Sequence, residues 1–346
     1  MTLMEKEINE QSHILDTVHE ANTPTIQKLV AKMKEKKCRY AYFAARGTSD
    51  HASIYAQYLF GTYAGLPSGL ACCSILTAYE GNLDLSDAVV FGVSQSGKAA
   101  DALAVMEHAK KQGAVVVSVT NYADSPMAKV ADFSLLCNAG EEKSVAATKT
   151  FTAQMYVMAL VVAEYTQNST LQNALQQVPE ALGHWLPALN QSIDSFVSRY
   201  RYSNDGFSLG RGVNYPVALE AALKLQETNY VRMKGAAVSD FYHGPLAQVE
   251  PGTFVILFAS HGPVYKDAVA MLSKLDELGA ETLVVTDDKD LAASRQLSVR
   301  TPDVGTDAAS VYFNAVFAQT FACKLTAVKG RNPDEPRNLK KVTITK

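Results

Sequence analysis

The strongest constraint on the fold is a strand–helix–strand pattern over residues 88–120. Residues 88–93 and 114–120 are continuous apolar runs, which are typical of strands covered on both faces. Residues 99–112 between them predict a helix that stops at Gly113. Parallel strands need a long crossover connection, usually a helix, whereas antiparallel strands can be joined by a short turn. Two strands joined by a helix are therefore expected to run parallel. The pattern therefore predicts an α/β domain in which helices cover both faces of a parallel sheet.

The same alternation of strands and helices occurs twice along the chain. Residues 1–36 look helical and amphipathic, with a break predicted at Asn22-Thr23-Pro24. We therefore predict two tandem α/β domains, and we expect any ligand at the carboxyl ends of their strands. The predicted segments are an N-terminal helical segment (1–36), a first domain (37–170), a helical connector (171–200), a second domain (201–330) and a C-terminal tail (331–346). The predicted strands are residues 39–45, 69–73, 88–93, 114–120, 132–137, 206–210, 254–260 and 281–286.

A short likeness links the two halves of the chain. Arg46-Gly47-Thr48-Ser49 follows the first predicted strand of the first half, and Gly210-Arg211-Gly212-Val213 follows the first predicted strand of the second half. The likeness is a weak sign that the halves arose by duplication.

Charge and cysteine usage exclude several classes of protein. The chain has 32 basic and 35 acidic residues, whereas a nucleic-acid-binding protein usually has a basic excess. No apolar run approaches the roughly 20 residues of a membrane span, and the first residues lack the order of a signal peptide. The five cysteines are sparse and lie mostly in apolar runs, so we expect buried thiols in a reducing cytoplasm and no metal site.

The turn after the strand at residues 88–93 has the composition of an anion site. Ser94-Gln95-Ser96-Gly97-Lys98 lies between this strand and a helix, whose first N–H groups lack partners and carry partial positive charge. Gly97 would let the backbone approach an oxyanion, and the serines would add hydroxyl donors. The alternative is an ordinary serine-rich turn. A second hydroxyl-rich turn, Gly47-Thr48-Ser49, favours a phosphate site.

Ionisable residues occur mainly in the second half. Glu220, Lys224 and Glu227 have the i, i+4, i+7 spacing of one helix face within an otherwise apolar segment. Spacing alone favours a solvated ladder of ion pairs over the rim of a site. His243 precedes Gly244-Pro245, and a single histidine in such a turn is more often structural than catalytic. The tail, residues 332–341, is polar and interrupted by prolines, and its composition predicts a disordered end.

Taken together, these segments resemble the sugar isomerase (SIS) domain family, and in particular the tandem isomerase half of glucosamine-6-phosphate synthase. The likeness covers nearly the whole chain and implies two tandem three-layer domains of flavodoxin-like type. Within the family, the segments at residues 46–52 and 143–149 look most like glucosamine-6-phosphate deaminases of SIS type. The segments that carry the resemblance are Gly47-Thr48-Ser49, Ser94-Gln95-Ser96-Gly97, Val145-Ala146-Ala147-Thr148-Lys149, Ala218-Leu219-Glu220 through Glu227, His243-Gly244-Pro245-Leu246-Ala247 and Pro336-Arg337-Asn338-Leu339 with Lys341.

The resemblance implies a role for each matching residue. Glu227 matches the carboxylate that moves a proton between sugar C2 and C1, and Lys224 matches a residue that assists it. His243 matches the ring-opening acid/base, which the family contributes across a subunit interface, so a homodimer with shared sites is implied. Lys341 matches the tail lysine at the sugar carbonyl. The positions that match the phosphate-holding segments are Gly47, Thr48, Ser49, Ser94, Gln95, Ser96, Ala147 and Thr148.

Three positions depart from the family pattern. Lys98 and Ala99 stand where the family usually has an acidic residue and a threonine, so one hydroxyl to the phosphate is lost. Lys234 stands where an acidic residue is common, which changes the sugar pocket. The implied chemistry needs a carboxylate, a histidine and a phosphate site, and it needs no metal or organic cofactor.

The reaction expected is the conversion of glucosamine 6-phosphate, or a close aminosugar phosphate, to fructose 6-phosphate and ammonia. The synthase makes ammonia in a glutaminase domain with an N-terminal cysteine, whereas the first cysteine here is Cys38, so glutamine-dependent synthesis by this chain alone is not expected. Two alternatives stay open: a deglycase that acts on fructosamine-type 6-phosphates, and a regulator that binds a phosphosugar without catalysis.

Overall fold

The computed structural model describes residues 1–341, so residues 342–346 of the predicted tail lie outside the described residues. The chain forms two compact units, which we name by their sheets. The first-sheet unit consists of His13–Glu142, Lys149–Gln176 and, of the described tail, Lys340 and Lys341. The second-sheet unit consists of Met1–Ser12, Lys143–Thr148 and Gln177–Leu339.

Strands and helices alternate through most of residues 1–341. The strands are β1 (Tyr40–Ala44), β2 (Ser68–Leu70), β3 (Ala88–Val93), β4 (Val115–Thr120), β5 (Phe133–Leu136), β6 (Asp205–Gly210), β7 (Arg232–Ala237), β8 (Phe254–Phe258), β9 (Glu281–Thr286) and β10 (Ser298–Arg300). The α-helices are α1 (Leu3–Asn9), α2 (Gln11–Glu35), α3 (Thr48–Thr62), α4 (Ser74–Thr77), α5 (Ala100–Lys111), α6 (Pro126–Val130), α7 (Lys149–Thr166), α8 (Ser169–Phe196), α9 (Tyr215–Asn229), α10 (Val238–Phe241), α11 (Tyr265–Glu277), α12 (Lys289–Ala293) and α13 (Asp307–Val328). Short 3₁₀ turns span Val197–Tyr200, Gly212–Asn214 and Pro245–Gln248.

The first sheet is fully parallel, and helices cover both of its faces. Its strand order is β2-β1-β3-β4-β5. Successive side chains of a strand point to opposite faces, so Phe43 stacks on Phe91 and meets Phe60 of α3, with ring centroids 5.1 and 5.7 Å apart. On the other face, Ala44 and Val90 belong to the apolar core that includes α5. This two-sided burial explains why β3 and β4 are continuous apolar runs.

The second sheet repeats this arrangement within its own unit. Its order is β10-β9-β8-β6-β7, again with all pairs parallel. Leu257 packs in the core with Met271 of α11, while its neighbour Phe258 meets Phe317 of α13 at 6.2 Å between ring centroids. Counted within each unit, both sheets have the order 2-1-3-4-5 of flavodoxin-like folds. The predicted fold class is therefore confirmed.

The helix break predicted at Asn22-Thr23-Pro24 is wrong, because α2 continues through Pro24. Proline within a helix removes a hydrogen bond and usually costs roughly 3 kcal/mol. Here Asn22 fixes the helix to the sheet: its side-chain amide donates to the carbonyls of Val18 and Leu136 and accepts from the N–H of Leu136. This contact to β5 is long-range, so the local sequence could not indicate it. The chain instead interrupts its helix at Glu10, between α1 and α2.

Two strands were absent from the sequence prediction, and one cysteine departs from it. Strand β7 lies at a sheet edge beside β6, and its exposed Arg232 and Lys234 hide the strand pattern. Strand β10 is a short strand at the opposite edge.

Cys72 is exposed, whereas the other four cysteines are buried as expected. Among residues 1–341, no helix is long and apolar enough to cross a membrane.

Candidate active site

The serine-rich loop after β3 is held rigidly by the end of β4. The carbonyl of Gln95 accepts from the N–H of Asn121 at 3.1 Å and from the Thr120 hydroxyl at 3.3 Å. The N–H of Ser94 donates to Val119, which continues the pairing of the two strands. Because its carbonyls are bound on the β4 side, the loop keeps a fixed shape ahead of α5. A fixed loop before a helix N-terminus is suited to hold an anion.

Gly97 is required by the shape of this loop. Its φ is +62°, a conformation that side-chain-bearing residues rarely adopt. A Cβ placed there would lie 2.3 Å from the Ser125 hydroxyl and 2.8 Å from the Thr120 hydroxyl. The N–H of Gly97 donates to the Ser94 hydroxyl, and the N–H of Lys98 donates to the Ser96 hydroxyl. Both serines therefore help to form the turn as well as being candidate ligands.

The loop after β1 ends at the same edge of the same sheet. Gly47 has φ +56° and precedes α3, which begins at Thr48. The carbonyl of Gly47 accepts from the N–H groups of Asp50 and His51, while Ser49 is buried at the start of the helix. Strands β1 and β3 are neighbours at the point where the strand order reverses, and ligands of such sheets bind there. The structure thus brings these two predicted loops to one sheet edge.

The segment with Ala147 and Thr148 is fixed within the second-sheet unit. The buried Glu7 carboxylate accepts from the N–H groups of Lys143 and Ser144 at 2.5 and 3.2 Å. The carbonyl of Thr148 accepts from the Gln319 side chain of α13 at 3.2 Å. Glu7 was not predicted as a functional residue, because its contact joins positions 137 residues apart in the sequence.

Helix α9 carries a buried lysine between two carboxylates. The Lys224 Nζ lies 3.2 Å from Glu220 Oε1 and 2.6 Å from Glu227 Oε2. The side chains of Lys224 and Glu220 are 0% exposed, whereas that of Glu227 is 21% exposed. The solvated ladder favoured by spacing alone is therefore wrong. Spacing cannot report burial, which here follows from the packing of α9 against α13, β6 and β7.

The charge on Lys224 is maintained by its neighbours. Burial by itself would lower its pKa, but Glu220 and Glu227 outweigh burial and raise the pKa above its ordinary value. Lys224 therefore remains an ammonium that holds the Glu227 carboxylate in one position. Glu227 is the member of the three that solvent, or a ligand, can reach.

His243 lies on an exposed turn of the second-sheet unit. Its backbone N–H donates to Asp240, and Gly244 follows it with φ +134°. The adjacent Tyr242 is also exposed. Among residues 1–341, no hydrogen bond or ion pair of the His243 imidazole is found, so no contact of this kind joins it to Glu227 within one chain.

The described part of the tail has specific contacts, so the disordered end expected from composition is wrong for residues 332–341. The Asp334 carboxylate accepts from the N–H groups of Leu3 and Met4. The guanidinium of Arg337 lies 3.8 Å from the centroid of the Tyr230 ring, and the Tyr230 hydroxyl accepts from the N–H of Arg337. Tyr230 directly follows the last residue of α9.

The predicted tail lysine is held by an acid that sequence reasoning missed. Lys341 Nζ lies 2.6 Å from Oε2 of Glu142, whose side chain is fully buried. Glu142 also accepts from the N–H and hydroxyl of Thr150 at 3.0 and 2.9 Å. A buried carboxylate with these donors is fixed in place, so it positions the ammonium of Lys341. The sequence signal was present, because Glu142 directly precedes the segment that resembles the family.

Comparison with known sequences identifies the class of protein. The sequence matches the SIS domain twice, over residues 36–163 and 203–329. The chain therefore belongs to the SIS domain family, as the resemblance predicted.

The curated relatives are longer proteins. A glutamine–fructose-6-phosphate aminotransferase (isomerizing) of Pyrococcus horikoshii is 33% identical over 348 residues, which cover 99% of this chain and 57% of that protein. The corresponding protein of Thermococcus kodakarensis is 32% identical over 359 residues, covering 99% of this chain and 58% of that protein. The chain thus spans less than two thirds of the length of these relatives.

Solved structures share the fold over nearly the whole chain. A protein of Silicibacter pomeroyi, provisionally described as a phosphosugar isomerase, has a TM-score of 0.84 and 28% identity, covering 96% of this chain and 100% of that one. Glucosamine-6-phosphate deaminase from Thermotoga maritima has a TM-score of 0.81 and 20% identity, covering 99% and 100%. The second likeness shows the fold alone.

Proposed function

We propose that this protein is an aminosugar-phosphate isomerase and deaminase that converts glucosamine 6-phosphate, or a close analogue, to fructose 6-phosphate and ammonia. The observation that carries the proposal is the ammonium of Lys224, which is buried and holds the partly exposed carboxylate of Glu227. A fixed, reachable carboxylate is what proton transfer between two adjacent carbons requires. Membership of the SIS family and the rigid loop at Ser94 support the phosphosugar as substrate.

The reaction sequence uses residues of this chain and water. Ring opening by His243 would expose the aldehyde at C1. Glu227 would then remove the proton from C2 and return it to C1, while O1 gains a proton and the C2 amine loses one, which leaves a hydroxymethyl group at C1 and an imine at C2. Water would hydrolyse the imine to the ketone of fructose 6-phosphate and release ammonia. Lys341, fixed by Glu142, would stabilise negative charge on the sugar oxygen during the transfer.

The phosphate would be held away from the bond changes, by the residues predicted from sequence. Binding of the phosphate, which is far from the reacting carbons, provides the energy that holds those carbons in position. The proposed phosphate ligands are Gly47, Thr48, Ser49, Ser94, Gln95, Ser96, Ala147 and Thr148.

The test is turnover of glucosamine 6-phosphate by the wild-type protein and by Glu227→Gln. We expect the wild type to release ammonia and fructose 6-phosphate in equal amounts, and Glu227→Gln to be slower by roughly 100-fold, the scale of a lost general base. Glu277→Gln, at the exposed end of α11, is the matched control and should keep its activity.

Three outcomes would contradict the proposal. Normal turnover by Glu227→Gln would show that Glu227 is not the general base. Release of an amino acid from fructosamine 6-phosphates, with glucosamine 6-phosphate inert, would indicate a deglycase. Tight binding of phosphosugars without any turnover would indicate a regulator.

We also propose a homodimer in which the partner subunit's His243 completes each site. The exposure of Tyr242 and His243 in the single chain supports this proposal. His243→Ala and Glu227→Gln homodimers should both be inactive. After subunit exchange, roughly a quarter of the wild-type activity should return, because half of the dimers are mixed and each has one intact site of two. Exchange without recovery would place both residues in one subunit or leave His243 structural.

A further inference from the structure

An ion pair joins the two loops of the proposed phosphate site. Arg46, at the end of β1, points a guanidinium nitrogen at Asp101 Oδ2, 2.7 Å away. The other terminal nitrogen donates to the carbonyl of Ala45 at 3.1 Å. Asp101 lies in the first turn of α5, the helix into which the serine-rich loop leads. Arg46 directly precedes Gly47-Thr48-Ser49, so the pair ties one loop to the start of the other helix.

The same pair occurs in the second-sheet unit. Arg211 follows β6 as Arg46 follows β1, and its Nε lies 3.0 Å from Asp267 Oδ2 in the first turn of α11. The glycine after each arginine has nearly the same conformation, with φ +56° for Gly47 and +59° for Gly212. Because both sheets have the same strand order, the two ion pairs are structurally equivalent. The weak sequence sign of duplication is thereby strengthened.

The two equivalent sheet edges differ in their charge. In the second sheet, the loop after β8 holds His261, whose Nδ1 lies 3.0 Å from Asp287 and whose Nε2 lies 3.4 Å from Asp288. These carboxylates are unsuited to an anion. In the first sheet, the corresponding loop offers Ser94 and Ser96. The first edge is therefore the one at which the ion pair lies beside a candidate anion site.

Asp101 poses an electrostatic problem at such a site. Its side chain is 7% exposed, and a buried carboxylate near a bound phosphate repels it more strongly than an exposed one would. Asp50, in the first turn of α3, adds a second acid; burial raises its pKa, while His51 and Arg46 act in the opposite direction. Arg46 is the cation paired with Asp101. It neutralises Asp101 and keeps the two loops at a fixed separation.

We propose that Arg46 and Asp101 are a positioning pair for the phosphate group of the substrate: Arg46 cancels the charge of Asp101 and holds the two loops together. This inference rests on the proposed function, because it assigns the phosphate to these loops. The pair does not touch the reacting carbons, so it should govern affinity for the phosphate and leave the chemical step nearly unchanged.

The experiment compares Arg46→Met, Asp101→Asn, the double variant and Arg211→Met. The probes are inorganic phosphate, measured by calorimetry, and glucosamine 6-phosphate, measured by KM and kcat. Arg46→Met should weaken phosphate binding and raise KM by roughly tenfold or more, with kcat changed by less than about threefold. Asp101→Asn should bind phosphate at least as tightly as the wild type. The double variant should recover the part of the loss that comes from the uncompensated charge of Asp101, while the part that comes from the lost link between the two loops remains.

Arg211→Met is the matched control, since it breaks the equivalent pair where no phosphate ligand is proposed. It should leave phosphate binding unchanged. The inference is overturned if Arg46→Met binds phosphate normally, if the double variant is no better than Arg46→Met, or if Arg211→Met causes the same loss. Arg46→Lys and Asp101→Asn keep the test valid if Arg46→Met fails to fold. If the wild type binds phosphate in this pattern but turns over no aminosugar phosphate, the proposed function fails and the positioning pair stands.

Discussion

Replacing Lys224 with methionine tests whether the buried triad of α9 is held together by its central charge. Methionine has a similar length and no charge, so the change removes the ammonium that lies 3.2 Å from Glu220 and 2.6 Å from Glu227. Breaking a buried ion pair by removing one partner costs about 3–5 kcal/mol, because the remaining charge is left without compensation. We expect Lys224→Met to lower the free energy of unfolding by an amount in this range.

A second variant separates the charge from the packing. Glu220→Gln combined with Lys224→Met leaves a neutral amide in place of the fully buried carboxylate. We expect it to recover a large part of the lost free energy, since burying a neutral, hydrogen-bonded group costs much less than burying a bare charge. The deficit of Lys224→Met should also shrink as the pH falls from 7 towards 4, because a carboxylate that has lost its cation takes up a proton more readily in the folded state.

The assay is urea unfolding followed by the fluorescence of Trp185. This is the single tryptophan of the chain, and it lies in the second-sheet unit, as Lys224 does, with its indole N–H donating to Arg300. The matched control is Lys274→Met, which breaks an exposed i, i+3 pair of 2.8 Å with Glu277. The control should change stability much less than Lys224→Met does, because an exposed ion pair contributes little. The reasoning is refuted if both single variants have the same small effect, or if the double variant is no more stable than Lys224→Met.

Three further predictions concern the loop, the tail and pH. Gly97→Ala should weaken phosphate binding and lower stability by roughly 1–3 kcal/mol, more than Gly113→Ala, which has a similar φ but open space around a new Cβ; equal effects in unfolding and calorimetry would contradict the close contact. Glu142→Gln should lower kcat and leave the affinity for inorganic phosphate unchanged, because it releases Lys341; unchanged kcat would argue against the assigned role. Burial raises the pKa of the Cys323 thiol from 9.0 to about 11, so the unfolded thiol ionises first as pH rises. Stability should therefore fall between pH 9 and 11, by about 1.4 kcal/mol per pH unit from this group, and Cys323→Ala should flatten the fall in urea titrations.

The fold was predictable where burial is two-sided and continuous. Strands β3 and β9 begin and end where the apolar runs predicted, because a central parallel strand needs apolar side chains on both faces. Strand β7 was missed, since an edge strand tolerates Arg232 and Lys234 on its exposed side. Gly235 also interrupts the strand pattern of the sequence. A glycine is needed there, because a Cβ would lie 2.7 Å from the Cα of Leu219. Edge strands depend on their neighbour more than on their own sequence.

The candidate site was predictable by residue type and family likeness, but its supporting contacts were not. Spacing put Glu220, Lys224 and Glu227 on one face of a helix, yet whether that face is exposed or buried depends on packing against α13, which lies far away in the sequence. Likewise, Lys341 and Glu142 are 199 residues apart. Contacts over such distances have no local pattern, so only a folded chain reveals them.

The two Arg–Asp pairs show how similar frames come to serve different tasks. Arg46–Asp101 and Arg211–Asp267 occupy equivalent places in sheets of the same order, so the pair itself belongs to the frame. What differs is the loop beside each pair: hydroxyls and N–H groups in the first sheet, and His261 between two aspartates in the second. Each pair fixes the loop after one strand (β1 or β6) to the helix that follows the neighbouring strand (α5 or α11). The other residues of the loop can therefore change while the backbone of the loop keeps its position. In the proposed function, the first sheet uses this frame beside an anion, whereas the second sheet carries the proposed base Glu227 and its partner Lys224 on the helix that follows Arg211.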